Sequence, residues 1–98
     1  MDTFYMNIRK FQQETVVAIC DSDLMGSTLK EGRFKLEVNQ KFYGDTQVSL
    51  NDCIEVLKNT VNANLVGKKI VSQALKMGLI HEESILYINK VPHALIIF

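Results

Sequence analysis

Three residues of this 98-residue chain are of the types that perform nucleophilic chemistry together. Cys20 and Asp21 are adjacent, and His93 lies far along the sequence. A nearby imidazole can activate a thiol as a nucleophile, and a carboxylate can orient the imidazole ring. The alternative, which we favour, places Cys20 in the core, Asp21 at the start of a turn and His93 at a strand bulge. We therefore predict no catalytic residues, and these three are the candidates if the protein is an enzyme.

Residues that bind metal ions are scarce in the chain. The soft ligands are Cys20, Cys53, His81 and His93. No two of them have the close spacing that is typical of structural zinc sites. Cys53 falls on the apolar face of a predicted helix, where it would pack in the core. We therefore predict neither a metal nor a cofactor.

Positive charge is concentrated in the second half of the chain. No acidic residue occurs between Glu55 and Glu82. That window holds Lys58, Lys68, Lys69, Lys76 and His81. The whole chain is neutral, with 11 basic and 11 acidic side chains, so no global field draws it to nucleic acid or membrane. A charge-driven partner must therefore be recognised by a local surface.

The helix predicted over residues 67–78 carries three of these lysines, Lys68, Lys69 and Lys76, on its polar face, together with Ser72 and Gln73. Anionic backbones bind such a stripe through ion pairing and counterion release. Residues 64–67 also resemble a helix start, whose free amide groups suit a phosphate. We predict as RNA- or phosphate-binding residues Lys68, Lys69, Lys76, Asn64 and Gln73. The alternative is a solvated helix face that happens to use lysine.

Hydrophobic periodicity predicts one α+β domain over residues 1–98. Period-two alternation and β-branched runs predict strands at residues 4–11, 15–22, 34–39, 85–88 and 91–98. Helical spacing predicts amphipathic helices at residues 50–61 and 67–78. We interpret residues 21–32 as a structured loop and residues 62–64 as a break between the helices. The order β-β-β-α-α-β-β predicts a mostly antiparallel sheet of about five strands, with two helices packed on one face.

The segment 94–98 is apolar at every position. This pattern favours burial of both faces in the centre of the sheet. If the segment lay at an edge, it would invite pairing with another protein or a homodimer.

Two cysteines in a chain of this length favour free thiols in a reducing cytosol over a disulfide framework. No stretch approaches the ~20 apolar residues that span a bilayer. Residues 1–4 lack the basic flank and apolar run of a secretory signal. We expect a cytoplasmic protein without membrane contact.

Several fragments together resemble a family of small archaeal proteins, domain of unknown function 424. The matching fragments are Cys20-Asp21-Ser22-Asp23-Leu24-Met25-Gly26, Lys30-Glu31-Gly32 with Leu36-Glu37-Val38, Phe42-Tyr43-Gly44, Asn64-Leu65-Val66-Gly67, Gly78-Leu79-Ile80 and Val91-Pro92-His93-Ala94. The resemblance implies an archaeal cytosolic protein near translation or RNA metabolism, with no assigned reaction. The chain departs from the family pattern at Lys90, where glycine is usual, and at Leu95, where glutamine is usual.

From these observations we predict a non-enzymatic binding module for RNA or an RNA–protein complex, acting through the lysine-lined helix. Two alternatives remain open. One is a protein-interaction module that uses the loops around Gly26 and Gly44. The other is a small enzyme that uses Cys20, Asp21 and His93.

Overall fold

The structure is a computed structural model that describes residues 2–98. Its strands are β1 (Thr3–Phe11), β2 (Glu14–Asp21), β3 (Thr28–Glu31), β4 (Phe34–Glu37), β5 (Gln47–Ser49), β6 (Asn62–Val66), β7 (Leu86–Ile88) and β8 (Val91–Ile97). Its helices are α1 (Gln40–Tyr43), α2 (Leu50–Leu57) and α3 (Lys68–Lys76). Short 3-10 turns lie at Ser22–Leu24 and Glu82–Ser84.

Six strands form one sheet in the order β5-β1-β2-β6-β8-β7, and β3 and β4 form a separate hairpin. Neighbouring strands of the large sheet are antiparallel, except that β2 and β6 are parallel at its centre. The α+β class is confirmed. The predicted sheet of about five strands is corrected, because the sheet has six strands and β4 is not one of them.

Strand β2 is covered on both faces of the sheet. Val17 and Ile19 pack in a core with residues of α2 and α3, whereas Ala18 and Cys20 pack with residues of the β3–β4 hairpin. A β-branched, apolar run is what such a strand requires. We call these two sides the helix face and the hairpin face.

The two predicted helices are confirmed, although α2 ends earlier than predicted. Helix α2 begins after Ser49, whose hydroxyl accepts from the Asp52 N–H while the Asp52 carboxylate accepts from the Ser49 N–H. This reciprocal capping box fixes the start of the helix. Leu57 of α2 and Ile70 of α3 are fully buried against the helix face.

The break predicted at residues 62–64 is wrong, because these residues begin β6. Ala63 and Leu65 of this strand are buried on the helix face, and Asn64 points to the hairpin face. Asparagine is depleted in strands, so the two asparagines concealed a central strand.

The loop predicted over residues 21–32 is also partly wrong. Its second half forms β3, which pairs with β4 across a turn at Gly32. Leu29 and Val38 are buried with Tyr43 of α1 against the hairpin face. The hairpin and α1 cover the part of that face that contains Cys20.

Strands β7 and β8 are joined by a two-residue turn at Asn89 and Lys90. Both residues have positive φ angles, 49° and 69°. This turn geometry favours glycine, so Lys90 is held there at a backbone cost. Pro92 is the second residue of β8, near the start of the strand, where a residue without an N–H is tolerated.

Candidate functional site

The outer side of α3 borders a shallow cavity of about 260 Å³. Five polar side chains of the helix line it: Lys68, Lys69, Ser72, Gln73 and Lys76. The opposite wall is formed by Asp2, Phe4 and Leu50. Four of the five residues predicted to bind an anion therefore line one surface, which we call the lysine surface.

One carboxylate opposes the lysines within the lysine surface. Asp2 Oδ1 lies 2.7 Å from Lys69 Nζ, and both side chains are 54% exposed. Their hydrogen bond raises the pKa of Lys69 and lowers the pKa of Asp2. In the described part of the chain, neither Lys68 nor Lys76 has an acidic partner within ion-pair distance. Because an exposed ion pair contributes little, Lys69 can exchange Asp2 for another anion.

The N-terminus of α3 is occupied by the protein's own carboxylate. Asp21 Oδ2 accepts from the Lys69 N–H at 2.9 Å, and Asp21 Oδ1 accepts from the Ile70 N–H at 3.0 Å. Asp21 is only 5% exposed. Burial raises its pKa, and the two backbone hydrogen bonds oppose that shift. Two of the N–H groups at this helix start, which were predicted to suit a phosphate, are therefore already bound to an internal anion.

Gly67 makes this close approach possible. Its φ angle is +123°, in the region that favours glycine. A Cβ atom at this position would overlap the Asp21 carboxyl carbon and would lie 2.6 Å from each carboxylate oxygen. Glycine is thus required both by the backbone conformation and by the carboxylate.

Asn64 lies on the other side of the sheet from the lysine surface. Its Oδ1 accepts from the Tyr43 hydroxyl at 2.7 Å, and His93 Nε2 lies 3.2 Å from the same oxygen. Burial lowers the pKa of His93 and raises the pKa of Tyr43. Asn64, which was predicted to bind an anion, is therefore not part of the lysine surface. We call these three residues the amide cluster.

The three candidate catalytic residues do not form a site. Cys20 pairs with Val66 of β6, and Val66 pairs with His93 of β8, so a whole strand separates the thiol from the imidazole. Two strand spacings amount to about 10 Å. Asp21, adjacent to Cys20, points to the start of α3 on the helix face. Burial also raises the pKa of Cys20 to about 12, which opposes thiolate formation at neutral pH.

The remaining soft ligands are also apart. Cys53 is fully buried in the helix-face core, where burial raises its pKa to about 12. His81 is exposed in the segment before β7. Among residues 2–98 no group of three or more histidine, cysteine or acidic side chains could hold a metal ion.

A cavity of about 560 Å³ lies away from the lysine surface. Ile8, Val17 and Val56 give it apolar walls, and Glu14 is its single charged residue. Sequence reasoning missed this cavity, because it forms where the β1–β2 turn, the end of α2 and the end of β8 meet. Its lining holds no Lys, Arg, His or Cys and a single carboxylate, so we do not assign chemistry to it.

The loops around Gly26 and Gly44 differ from each other. A Cβ atom at Gly26 would meet nothing within 4 Å, whereas one at Gly44 would lie 3.1 Å from Met6 O and from Asn7 Cβ. Gly44 therefore packs α1 against β1, and Gly26 stands in an open, exposed turn.

This geometry defines a small α+β protein with two helices on one face of a mixed sheet and a hairpin on the other. The family model described as "Protein of unknown function (DUF424)" matches residues 9–98. The chain belongs to this family, as its resemblance predicted.

A solved structure, that of an uncharacterized conserved protein from Methanopyrus kandleri, has a similar fold, with a TM-score of 0.80. The two chains are 24% identical, and the match covers 95% of this chain and 89% of that one. None of the curated proteins compared with the chain matches it. In the described residues, no helix is long and apolar enough to cross a membrane.

Proposed function

We propose that this protein is a non-enzymatic binding domain that holds the phosphate backbone of RNA, alone or in an RNA–protein complex, on the lysine surface. The observation that supports this most directly is that Lys68, Lys69 and Lys76 line one cavity opposite a single carboxylate, that of Asp2. Within this cavity three ammonium groups face one carboxylate, and two further carboxylates, those of Asp21 and Asp23, line an adjoining cavity beside Lys68 and Lys69. Phosphate contacts of lysine release counterions, which gives affinity without sequence specificity.

The other two polar groups of the lysine surface suit the same ligand. The Ser72 hydroxyl and the Gln73 amide can each donate a hydrogen bond to a phosphate oxygen. Such neutral donors position an RNA backbone beside the lysines, which supply the charge. Glutamine and serine therefore contribute geometry more than affinity.

The surface lacks the features that read bases. The lining of the lysine surface contains one aromatic ring, that of Phe4, which is fully buried. Sequence-specific recognition of single-stranded RNA usually stacks bases on exposed aromatic side chains. We therefore expect binding that depends on salt and on phosphate number more than on sequence.

The test is the salt dependence of binding to bulk tRNA, measured by fluorescence anisotropy. The variant Lys68→Gln/Lys69→Gln/Lys76→Gln should bind more weakly, and the slope of log affinity against log salt should fall by about two to three. The matched control is Lys10→Gln/Lys30→Gln/Lys35→Gln, which removes the same charge from other surfaces. Equal affinities for the two triple variants would refute the lysine surface as the RNA site.

A second variant tests the role of the opposing carboxylate. Asp2→Asn frees Lys69 from its ion pair, so it should tighten tRNA binding by a few-fold at low salt. Asp45→Asn, which removes a carboxylate elsewhere, is the control for net charge. If both variants tighten binding equally, global charge and not the lysine surface governs the affinity.

A further inference from the structure

The outer edge of β8 is covered along only part of its length. Strand β7 pairs with Val91, Pro92 and His93 and with no later residue of β8. Just before β7 the chain turns through Glu82–Ser84, so it does not continue alongside β8. The stretch from Ala94 to Ile97 therefore has β6 on one side and, in the described structure, no strand on the other.

Alternation of the backbone shows which groups are unpaired. The Phe98 N–H donates to the Val61 C=O, and the Pro92 C=O accepts from the Gly67 N–H, so even-numbered residues of β8 bond towards β6. In an antiparallel ladder the intervening residues point their N–H and C=O groups the opposite way. Leu95 and Ile97 thus present two donors and two acceptors at the open edge.

The same two residues also expose apolar side chains. Leu95 is 49% exposed and Ile97 is 72% exposed, both on the hairpin face beyond the cover of β3 and β4. The prediction that this segment is buried on both sides is therefore wrong for one face. From Val91 to Phe98 the strand carries no Asp, Glu, Lys or Arg. Natural proteins usually protect an edge strand with such charges.

Strand β1, which lies beside the edge strand β5 on the other side of the sheet, differs from β8. Strand β5 pairs with Thr3–Tyr5, and the Met6 N–H donates to the Thr46 C=O. Further along β1, the Arg9 guanidinium donates to the Lys41 C=O of α1. The part of β1 beyond β5 thus carries a charged side chain that contacts α1, whereas the part of β8 beyond β7 carries none.

We propose that the open edge of β8 pairs with the same edge of a second copy of this chain. We consider an antiparallel pair centred on Ile96. Leu95 of the first copy then lies opposite Ile97 of the second copy, and Ile97 of the first copy lies opposite Leu95 of the second. Each N–H then meets a C=O of the second copy, which gives four hydrogen bonds related by a two-fold axis. Self-pairing also places no like charges opposite each other, because the strand has none.

The two-fold axis of such a pair runs perpendicular to the sheet. The two sheets join into one, and the helix faces of both copies lie on the same side. The exposed Leu95 and Ile97 side chains of the two copies pack against each other on the hairpin face. This arrangement does not depend on RNA binding, since the lysine surface lies on α3.

The test is sedimentation velocity of the full chain over a range of concentrations, with backbone hydrogen exchange read by NMR. The protein should form a dimer, and the Leu95 and Ile97 amides should become protected as concentration rises. Ile97→Lys should weaken dimerisation by roughly tenfold or more, since each substitution occurs twice in the interface. The matched control is Phe11→Lys, because Phe11 is 71% exposed but lies on β1.

A backbone variant separates edge pairing from side-chain contact. Ile97→Pro removes only an outward N–H and leaves the bonds to β6, so it should also weaken the dimer. A chain that stays monomeric at all concentrations would overturn the proposal. A dimer in which the Leu95 and Ile97 amides exchange freely, or one weakened equally by Phe11→Lys, would overturn it as well.

Discussion

The helix face and the hairpin face of the sheet differ in how completely their polar groups are enclosed. On the helix face, the Asp21 carboxylate is enclosed by two backbone N–H groups and by Gly67. On the hairpin face, the amide cluster of Tyr43, Asn64 and His93 shares one oxygen and stays partly open to solvent. A polar contact that is satisfied and sealed holds the fold together and has no capacity left for a ligand. The polar groups that remain available to a partner are therefore those that belong neither to the Asp21 contact nor to the amide cluster.

The strongest test of the sealed contact is Gly67→Ala. We expect it to lower the free energy of unfolding by about 3 kcal/mol or more, because it combines an unfavourable φ angle with overlap on Asp21. Gly78→Ala is the matched control at the other end of α3. Gly78 also has a positive φ, +73°, but its Cβ would meet nothing within 4 Å. Urea unfolding measures the free energy of unfolding of both variants. Similar losses of this free energy would mean that Asp21 does not crowd Gly67.

The next test removes the carboxylate itself. Asp21→Ala leaves the Lys69 and Ile70 N–H groups without their acceptors, so it should cost about 2 kcal/mol of unfolding free energy. The control is Asp23→Ala, which changes an exposed carboxylate two residues away. If both variants unfold at the same urea concentration, Asp21 is not the cap of α3.

On the hairpin face the expected loss is smaller. Tyr43→Phe removes one hydroxyl that donates to Asn64, which should cost about 1 kcal/mol. Tyr87→Phe is the control, because Tyr87 is 50% exposed. Thermal unfolding distinguishes the two. A larger loss for Tyr43→Phe than for Asp21→Ala would reverse the contrast between the faces.

The smallest effect is the pH dependence of the amide cluster. Burial lowers the pKa of His93 below its ordinary value of 6.5, so the unfolded chain binds a proton more readily than the folded one. This contribution to stability is present above about pH 6.5 and is lost as the pH falls through the folded pKa. His93→Gln should flatten that part of the curve of unfolding free energy against pH, measured by urea unfolding. Identical curves for His93→Gln and the parent chain would show that His93 titrates as in the unfolded state.

Much of the fold could be predicted because local patterns and tertiary contacts agree. The alternation along β1, the β-branched run of β2 and the helical spacing of α2 each predict their own element. The prediction of secondary structure failed where contacts with distant residues determine the structure of a segment. Strand β6 contains two asparagines, and its central place depends on pairing with β2 and β8 and on the hydrogen bonds of Asn64.

In the candidate site, too, local patterns predict part of the arrangement and contacts between distant residues determine the rest. Helical spacing correctly groups Lys68, Lys69, Ser72, Gln73 and Lys76 on one side of α3. Spacing within α3 contains no information about Asp2, which reaches Lys69 from the start of β1. The sequence does contain the signal that separates Cys20 from Asp21, because neighbouring residues of a predicted strand point to opposite faces of the sheet.

The parallel pairing of β2 with β6 has a consequence for how the chain folds. Val17 and Ala63 are neighbours in the sheet although almost half of the chain lies between them. The β1–β2 and β7–β8 hairpins can each form from adjacent residues, whereas the central ladder requires the ends of a long segment to meet first. We expect closure of that segment to limit the folding rate, so that the middle of the sheet is completed after its two hairpins.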